Sequence, residues 1–118
     1  MDKKFDLATQ LYTYNAIITD VYDGDTFTAD IDLGLGIWAK GIKIRLAYVD
    51  TPEVRGSEKV EGKEIRDHVR ELILNKQLCI HTFKDKKGKY GRLLADVYLK
   101  DNSTLSNYLV ENNMAVWY

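Results

Sequence analysis

Ile42-Lys-Ile-Arg-Leu-Ala-Tyr-Val-Asp-Thr-Pro-Glu53 is the stretch whose reading decides the fold. Its first half alternates, with Ile42, Ile44, Leu46 and Tyr48 on one face and Lys43, Arg45, Ala47 and Val49 on the other. That is the period of a half-buried strand. Pro52 has no N–H to continue a ladder and biases Thr51 toward an extended conformation, so the strand should end in a loop at Asp50-Thr51-Pro52-Glu53. A cation (Arg45), a carboxylate able to ligate metal (Asp50) and a carboxylate able to act as a base (Glu53) then stand at fixed separations around a rigid strand. Such a set suggests phosphate chemistry.

Upstream, Tyr12 to Tyr22 is rich in β-branched and aromatic residues and reads as a first strand. Asp23-Gly24-Asp25 is a turn, and Thr26 to Leu33 alternates as a second strand with Phe27, Ala29, Ile31 and Leu33 on one face. Leu33 to Gly41 reads as a glycine-punctuated connection, a long or bulged hairpin. Gly34 and Gly36 make a poor phosphate loop, because no helix start follows them. Downstream, Glu53 to Gly62 reads as a polar, flexible loop. Ile65, Val69, Leu72 and Ile73 fall at helical spacing within Lys63 to Asn75. Strands are expected over Leu78–Phe83 and Leu93–Leu99, separated by a turn over Asp85–Gly91. A short helix around Leu105, Tyr108 and Leu109 precedes an extended tail, Met114 to Tyr118. Three strands, a helix, two strands and a helix match a five-stranded Greek-key OB-type barrel, a mainly β, α+β architecture with two to three helices. A split α+β sheet is the alternative.

A chain of 118 residues, 45% apolar and 30% charged, holds one domain, expected over 12–118 behind a weakly patterned lead-in at 1–11. The net charge of −1 hides an asymmetry: Glu53 to Arg92 carries 11 Lys/Arg against 7 Asp/Glu, a local +4, and the remainder is −5. A locally basic middle suits a polyanion, although the whole lacks the strongly basic footprint of a tight nucleic-acid binder. The lone Cys79 excludes an internal disulfide and a cysteine metal cluster and reads as a small buried hydrophobe. His68, on the helix, and His81, within a strand, supply no zinc set. With no apolar leader and no run of membrane-spanning length, the chain reads as soluble, cytoplasmic and monomeric, without a membrane partner.

Asp25, Asp50 and the Thr51 carbonyl offer the hard oxygen ligands that Ca²⁺ or Mg²⁺ needs. Alone, each aspartate would be a turn or cap residue; Arg45, Glu53 and Arg92 change that balance. Asp23-Gly-Asp-Thr26, Ile44-Arg-Leu-Ala-Tyr-Val-Asp-Thr-Pro-Glu53 and Lys89-Tyr-Gly-Arg92 resemble, in order and content, the three signature segments of the staphylococcal nuclease family. The similarity runs from about residue 14 to 115. It implies an OB-fold endonuclease that uses Ca²⁺ to cut DNA and RNA, leaving 3′-phosphate and 5′-hydroxyl ends. Carried over, Asp25, Asp50 and Thr51 would hold the metal, and Arg45 and Arg92 the scissile phosphate. Glu53 would orient or deprotonate water, while Lys89 and Tyr90 would contact neighbouring groups. Tyr118 is the candidate tyrosine beside the base. The physics agrees: guanidiniums and a divalent cation stabilise charge developing on phosphoryl oxygens, and a free glutamate is ionised at neutral pH.

Three features depart from the family pattern: the slightly acidic net charge, a longer hairpin around Leu33 to Gly41, and a tail ending at Trp117-Tyr118. Tyr14, Tyr22, Tyr48, Tyr98 and Tyr108 read as packing residues. Lys84, Lys86 and Lys87 are either a solvated turn or an electrostatic approach path. A non-catalytic nucleic-acid- or protein-binding module on the same fold is the alternative function. An OB groove favours single strands over a duplex.

Overall fold

The computed structural model describes residues 11–87 and 91–118; Lys89, Tyr90 and most of the expected N-terminal lead-in lie outside them. β1 (Thr13–Asp23), β2 (Thr26–Gly34), β3 (Ile37–Leu46), β5 (Gln77–Lys87) and β6 (Leu93–Tyr98) close a barrel in the order β1-β2-β3-β6-β5. All pairs are antiparallel except β3 with β6, which run parallel at Ile44↔Leu93 to Leu46↔Ala95. α1 (Lys59–Ile73) crosses between β4 (Val49–Asp50) and β5, and α2 (Leu105–Glu111) follows β6. A separate two-stranded sheet joins β4 (Val49–Asp50) to β7 (Val116–Trp117). This is the expected OB-like α+β barrel, and the split-sheet alternative falls.

The period-2 residues of the strands fill the barrel. Ala16, Ile18 and Val21 from β1, Phe27, Ala29 and Ile31 from β2, and Ile44 and Leu46 from β3 are buried with Ile80, Ala95 and Val97. β1 reaches inward at both Ile18 and Val21, three residues apart, because bulges interrupt its pairing between Ile18 and Asp20 and between Val21 and Asp23. A bulge adds one residue and resets which face points in. α1 closes one end with Ile65, Val69 and Ile73, spaced four apart, and Leu105 and Leu109 of α2 add to the same core.

Four expectations change. β3 begins at Ile37 rather than Ile42, and β2 and β3 run out together to a two-residue turn, Leu35-Gly36, with φ 58° and 76°. Two consecutive positive φ values give the primed turn whose twist matches a hairpin. This ribbon leaves the barrel, so Leu33 is exposed although its face is apolar below. The alternation also fails at the other end of β3. The strand stops at Leu46, Tyr48 takes φ +73°, and the faces exchange: Ala47 and Val49 are buried while Tyr48 is exposed. α1 starts at Lys59, after a 3₁₀ turn at Gly56–Glu58, where a flexible loop was expected to Gly62. It ends at Ile73, with Asn75 at φ 61°. Finally β5 continues to Lys87, into the expected turn over Asp85–Gly91.

Candidate active site

The site grows from the Asp23-Gly24-Asp25 turn between β1 and β2. The Asp25 N–H donates to Asp23 Oδ1 (3.1 Å), an Asx-type bond that fixes the turn. The Asp25 carboxylate, only 6% exposed, then collects donors from three directions. Thr26 Oγ1 donates to Oδ1 (3.2 Å), the Thr51 N–H donates to Oδ2 (2.9 Å), and Arg45 Nη1 lies 3.4 Å from Oδ2. Burial and the neighbouring Asp25 charge push the Asp23 carboxyl up to about 7. Two carboxyl groups packed this closely resist ionising together, which is the electrostatics of a site short of positive charge.

Arg45 is the hub. Its Nη1 donates to the carbonyls of Leu46 and Val49, both at 2.8 Å, and Nη2 donates to Asp50. Those bonds use both Nη1 protons and one on Nη2. Among the described residues Nε–H and the second Nη2–H have no partner, so part of the guanidinium fork stays free for an anion. The same bonds fold the corner Leu46–Asp50 around the side chain, coupling the sharp exit from β3 to the charge that sits there. Arg92 enters from the start of β6 and donates through Nη1 to Thr26 Oγ1 (3.2 Å). The Tyr118 ring lies over the Arg45 guanidinium, 5.8 Å from its centre.

The strap Asp50–Glu53 is clamped on two sides. Thr51 packs against Gly24, where an added Cβ would lie 2.8 Å from both Thr51 Oγ1 and Cγ2. Thr51 Oγ1 is buried there without a hydrogen-bond partner. On the other side the Glu53 N–H donates to Glu58 Oε1 (3.2 Å), just before α1. The first turn of α1 abuts the Glu53 carbonyl, leaving no room for a Cβ at Gly62: it would sit 1.9 Å from Glu53 O. Helix α1 therefore acts as a ruler for the Glu53 backbone.

Asp25, Arg45, Asp50, Thr51, Glu53, Arg92 and Tyr118 all line one cavity of about 810 Å³. The structure thus gathers seven of the nine residues expected at the site, and Lys89 and Tyr90 lie outside the described residues. Tyr22, Asp23, Tyr48 and Phe83 line it too and were not anticipated. Tyr22 and Tyr48 depart from their expected packing role, whereas Tyr14 and Tyr108 do pack on the core. Tyr48 was hidden by the strand period, and Asp23 by its ordinary role as a turn residue. Neither histidine serves the cavity: His68 Nε2 is 2.8 Å from Tyr108 Oη, and His81 Nδ1 is 2.9 Å from Thr13 Oγ1. Cys79 sits on β5, half-buried rather than in the core, with its thiol pushed up by burial.

Among the described residues no cluster of three or more His, Cys, Asp or Glu side chains is arranged for a metal. The donors available here are two carboxylates and a backbone carbonyl. Their chemistry fits a hard cation. No described helix is long and apolar enough to cross a membrane.

Residues 43–118 match the family model described as staphylococcal nuclease homologue. The chain is 37% identical over 90 residues to the thermonuclease of Staphylococcus hyicus, covering 74% of this chain and 48% of that protein. It is 33% identical over 88 residues to the thermonuclease of Staphylococcus intermedius, covering 72% and 49%. An uncharacterized endonuclease of Escherichia coli is 25% identical over 122 residues, covering 98% of this chain and 72% of that one. The chain spans about half the length of the two thermonucleases.

Proposed function

The chain belongs to the staphylococcal nuclease homologue family, and from that premise we propose that it is a Ca²⁺-dependent endonuclease. It hydrolyses phosphodiesters of DNA and RNA to 3′-phosphate and 5′-hydroxyl ends. The observation that carries this reading is the shared cavity, in which three arginines (Arg45, Arg55 and Arg92) and four acidic groups face the same volume.

Attack of water on phosphorus adds negative charge to oxygens that are already anionic. The unpaired donors of Arg45 are held rigid by the Leu46 and Val49 carbonyls, so they meet that charge without reorganising. Arg92, fixed by Thr26, approaches from the other strand and shares the load. Glu53 accepts the proton of the attacking water as the new P–O bond forms. The P–O5′ bond breaks, and the departing 5′-oxygen takes its proton from solvent, because a guanidinium is too weak an acid to give one. Asp25, Asp50 and the Thr51 carbonyl are the residues that would hold Ca²⁺, which when bound supplies charge compensation at the phosphoryl oxygens. DNA or RNA is the substrate, and the protein acts as a monomer in the cytoplasm.

Cleavage of single-stranded DNA by purified protein in Ca²⁺, with chelator and Glu53→Gln as controls, tests the reading. Digestion should stop in chelator and fall at least about 100-fold in the variant. Intact DNA at every Ca²⁺ level, from folded protein that still binds the strand, would replace the enzyme with a binding module.

A further inference from the structure

β2 starts at Thr26 and β3 ends at Leu46, both on the cavity, so the hairpin that joins them carries its turn to the opposite end of the molecule. Nine residues from Thr26 to Gly34 place that turn about 30 Å from the site. Its tip is apolar: Leu33, Leu35, Ile37 and Trp38 are all exposed, Leu35 to 98%. The turn also breaks a local rule. Two consecutive positive φ values suit Asn-Gly, yet Leu35 takes φ 58° with its side chain in solvent. No burial within the chain offsets that placement, and strain of this kind points to function.

We propose that the β2–β3 tip inserts into a lipid surface, holding the protein there with its active-site cavity turned to solution. The shape decides between occupants. The tip is a projecting hairpin of four apolar side chains, against about 20–30 residues a side in a stable protein interface. Its polar groups are also arranged for a membrane boundary. The Gly34 N–H donates to Asp32 Oδ1 (2.8 Å) and the Gly41 N–H to Asp30 Oδ1 (2.9 Å), so neither enters an apolar medium unpaired. Lys40 Nζ lies 5.5 Å from the Trp38 ring centre and 3.6 Å from Asp30 Oδ2. Trp38 and Lys40 thus form the aromatic and cationic collar that sits at headgroup depth, with Leu33, Leu35 and Ile37 beyond it. Residues 28–43 hold two Asp and two Lys, so hydrocarbon burial rather than charge drives the contact. The expectation of no membrane partner came from the lack of a spanning run, and a tip that lies in the interface needs none.

The test is co-sedimentation of the protein with phosphatidylcholine vesicles, comparing wild type with the double variant Leu35→Asn, Ile37→Thr. Wild type should be half-bound at about 0.1–1 mM lipid, near the strength of a single acyl chain. The variant should bind at least about 10-fold more weakly, while its melting temperature holds or rises, because Asn-Gly suits the turn. Binding should change less than about twofold between about 0.05 and 0.5 M salt, or with phosphatidylglycerol added to the vesicles. In a Trp117→Phe background, brominated lipid should quench Trp38. No sedimentation of wild type at about 10 mM lipid overturns the proposal, as does equal binding by the variant or an unquenched Trp38. A wild-type dimer that the variant disperses, with no vesicle binding, assigns the tip to a second copy and overturns it too. These readouts do not depend on whether the protein cuts nucleic acid.

Discussion

Replacing Gly62 by alanine sets two quantities against each other. Helix propensity favours the change by about 1 kcal/mol, since glycine is a poor residue inside a helix. The structure opposes it. The new Cβ would lie 1.9 Å from Glu53 O, 2.4 Å from Glu53 C and 2.9 Å from Val54 N, whereas ordinary contact begins at 3.4 Å. The atoms that must give are backbone, not the end of a flexible side chain, and they must make up about 1.5 Å. Overpacking of this kind costs about 1–3 kcal/mol, so the net loss should be about 0–2 kcal/mol. At about 4 °C per kcal/mol for a domain of this size, the melting temperature should fall by up to about 8 °C. Activity should suffer far more. A displacement of about 1 Å at a proposed general base costs about 100-fold in kcat, with KM nearly unchanged. Urea unfolding and steady-state cleavage measure the two effects. A double-mutant cycle with Glu53→Gln separates positioning from general damage: if α1 acts through Glu53, Gly62→Ala should cost little more once that carboxylate is gone. A Gly62→Ala protein that is about 1 kcal/mol more stable and fully active would refute the contact and the ruler together.

Two further outcomes follow from groups around the same corner. Asp23 titrates at about 7 in the fold against 3.8 without it, so the folded chain holds the extra proton between those values. In chelator, the Asp23 contribution to stability should be full below about pH 4 and be lost as pH rises through 7, by less than about 1.4 kcal/mol per pH unit because the carboxyl is partly solvated. Urea midpoints at pH 5 and pH 8 should therefore differ for wild type and converge for Asp23→Asn. The buried Ser106 hydroxyl donates to the Ala47 carbonyl at 2.9 Å, fastening α2 to the end of β3. Ser106→Ala leaves that carbonyl unsatisfied and should cost about 1–2 kcal/mol by chemical denaturation.

The parts of this protein legible in its sequence are those whose signal is local. Phe27, Ala29 and Ile31 alternate because β2 does, and all three are buried. Asp25, Asp50 and Glu53 stand out because glycine and proline mark where strands must stop, and strand ends are where charged groups can meet. Arg92 is the instructive partner: it reaches Thr26 from 66 residues away, so only its motif, not its spacing, announced it. The barrel's element order survived errors at nearly every boundary, because an apolar period identifies an element even where its ends are blurred.

What the sequence hid depends on a single dihedral or a single close approach. Ile42 to Val49 alternates as though one strand continued, yet one positive φ at Tyr48 exchanges the faces of the last residues. That exchange buries Val49 and leaves Tyr48 exposed on the cavity wall, where the period had placed it on the packed face. Gly62 misled for the opposite reason. A glycine after a polar run reads as loop punctuation, but here it sits inside a helix because the Glu53 backbone occupies the place of a side chain. Propensity scores a glycine by what it costs its own helix, and nothing local records what it lets come near. Both errors fall beside the charged cluster, where the chain gives up regular structure and ordinary glycine placement to hold a few groups in place. A departure from local rules is thus itself informative in this fold: Tyr48 and Gly62 break them, and each lies within a few residues of Asp50 or against Glu53.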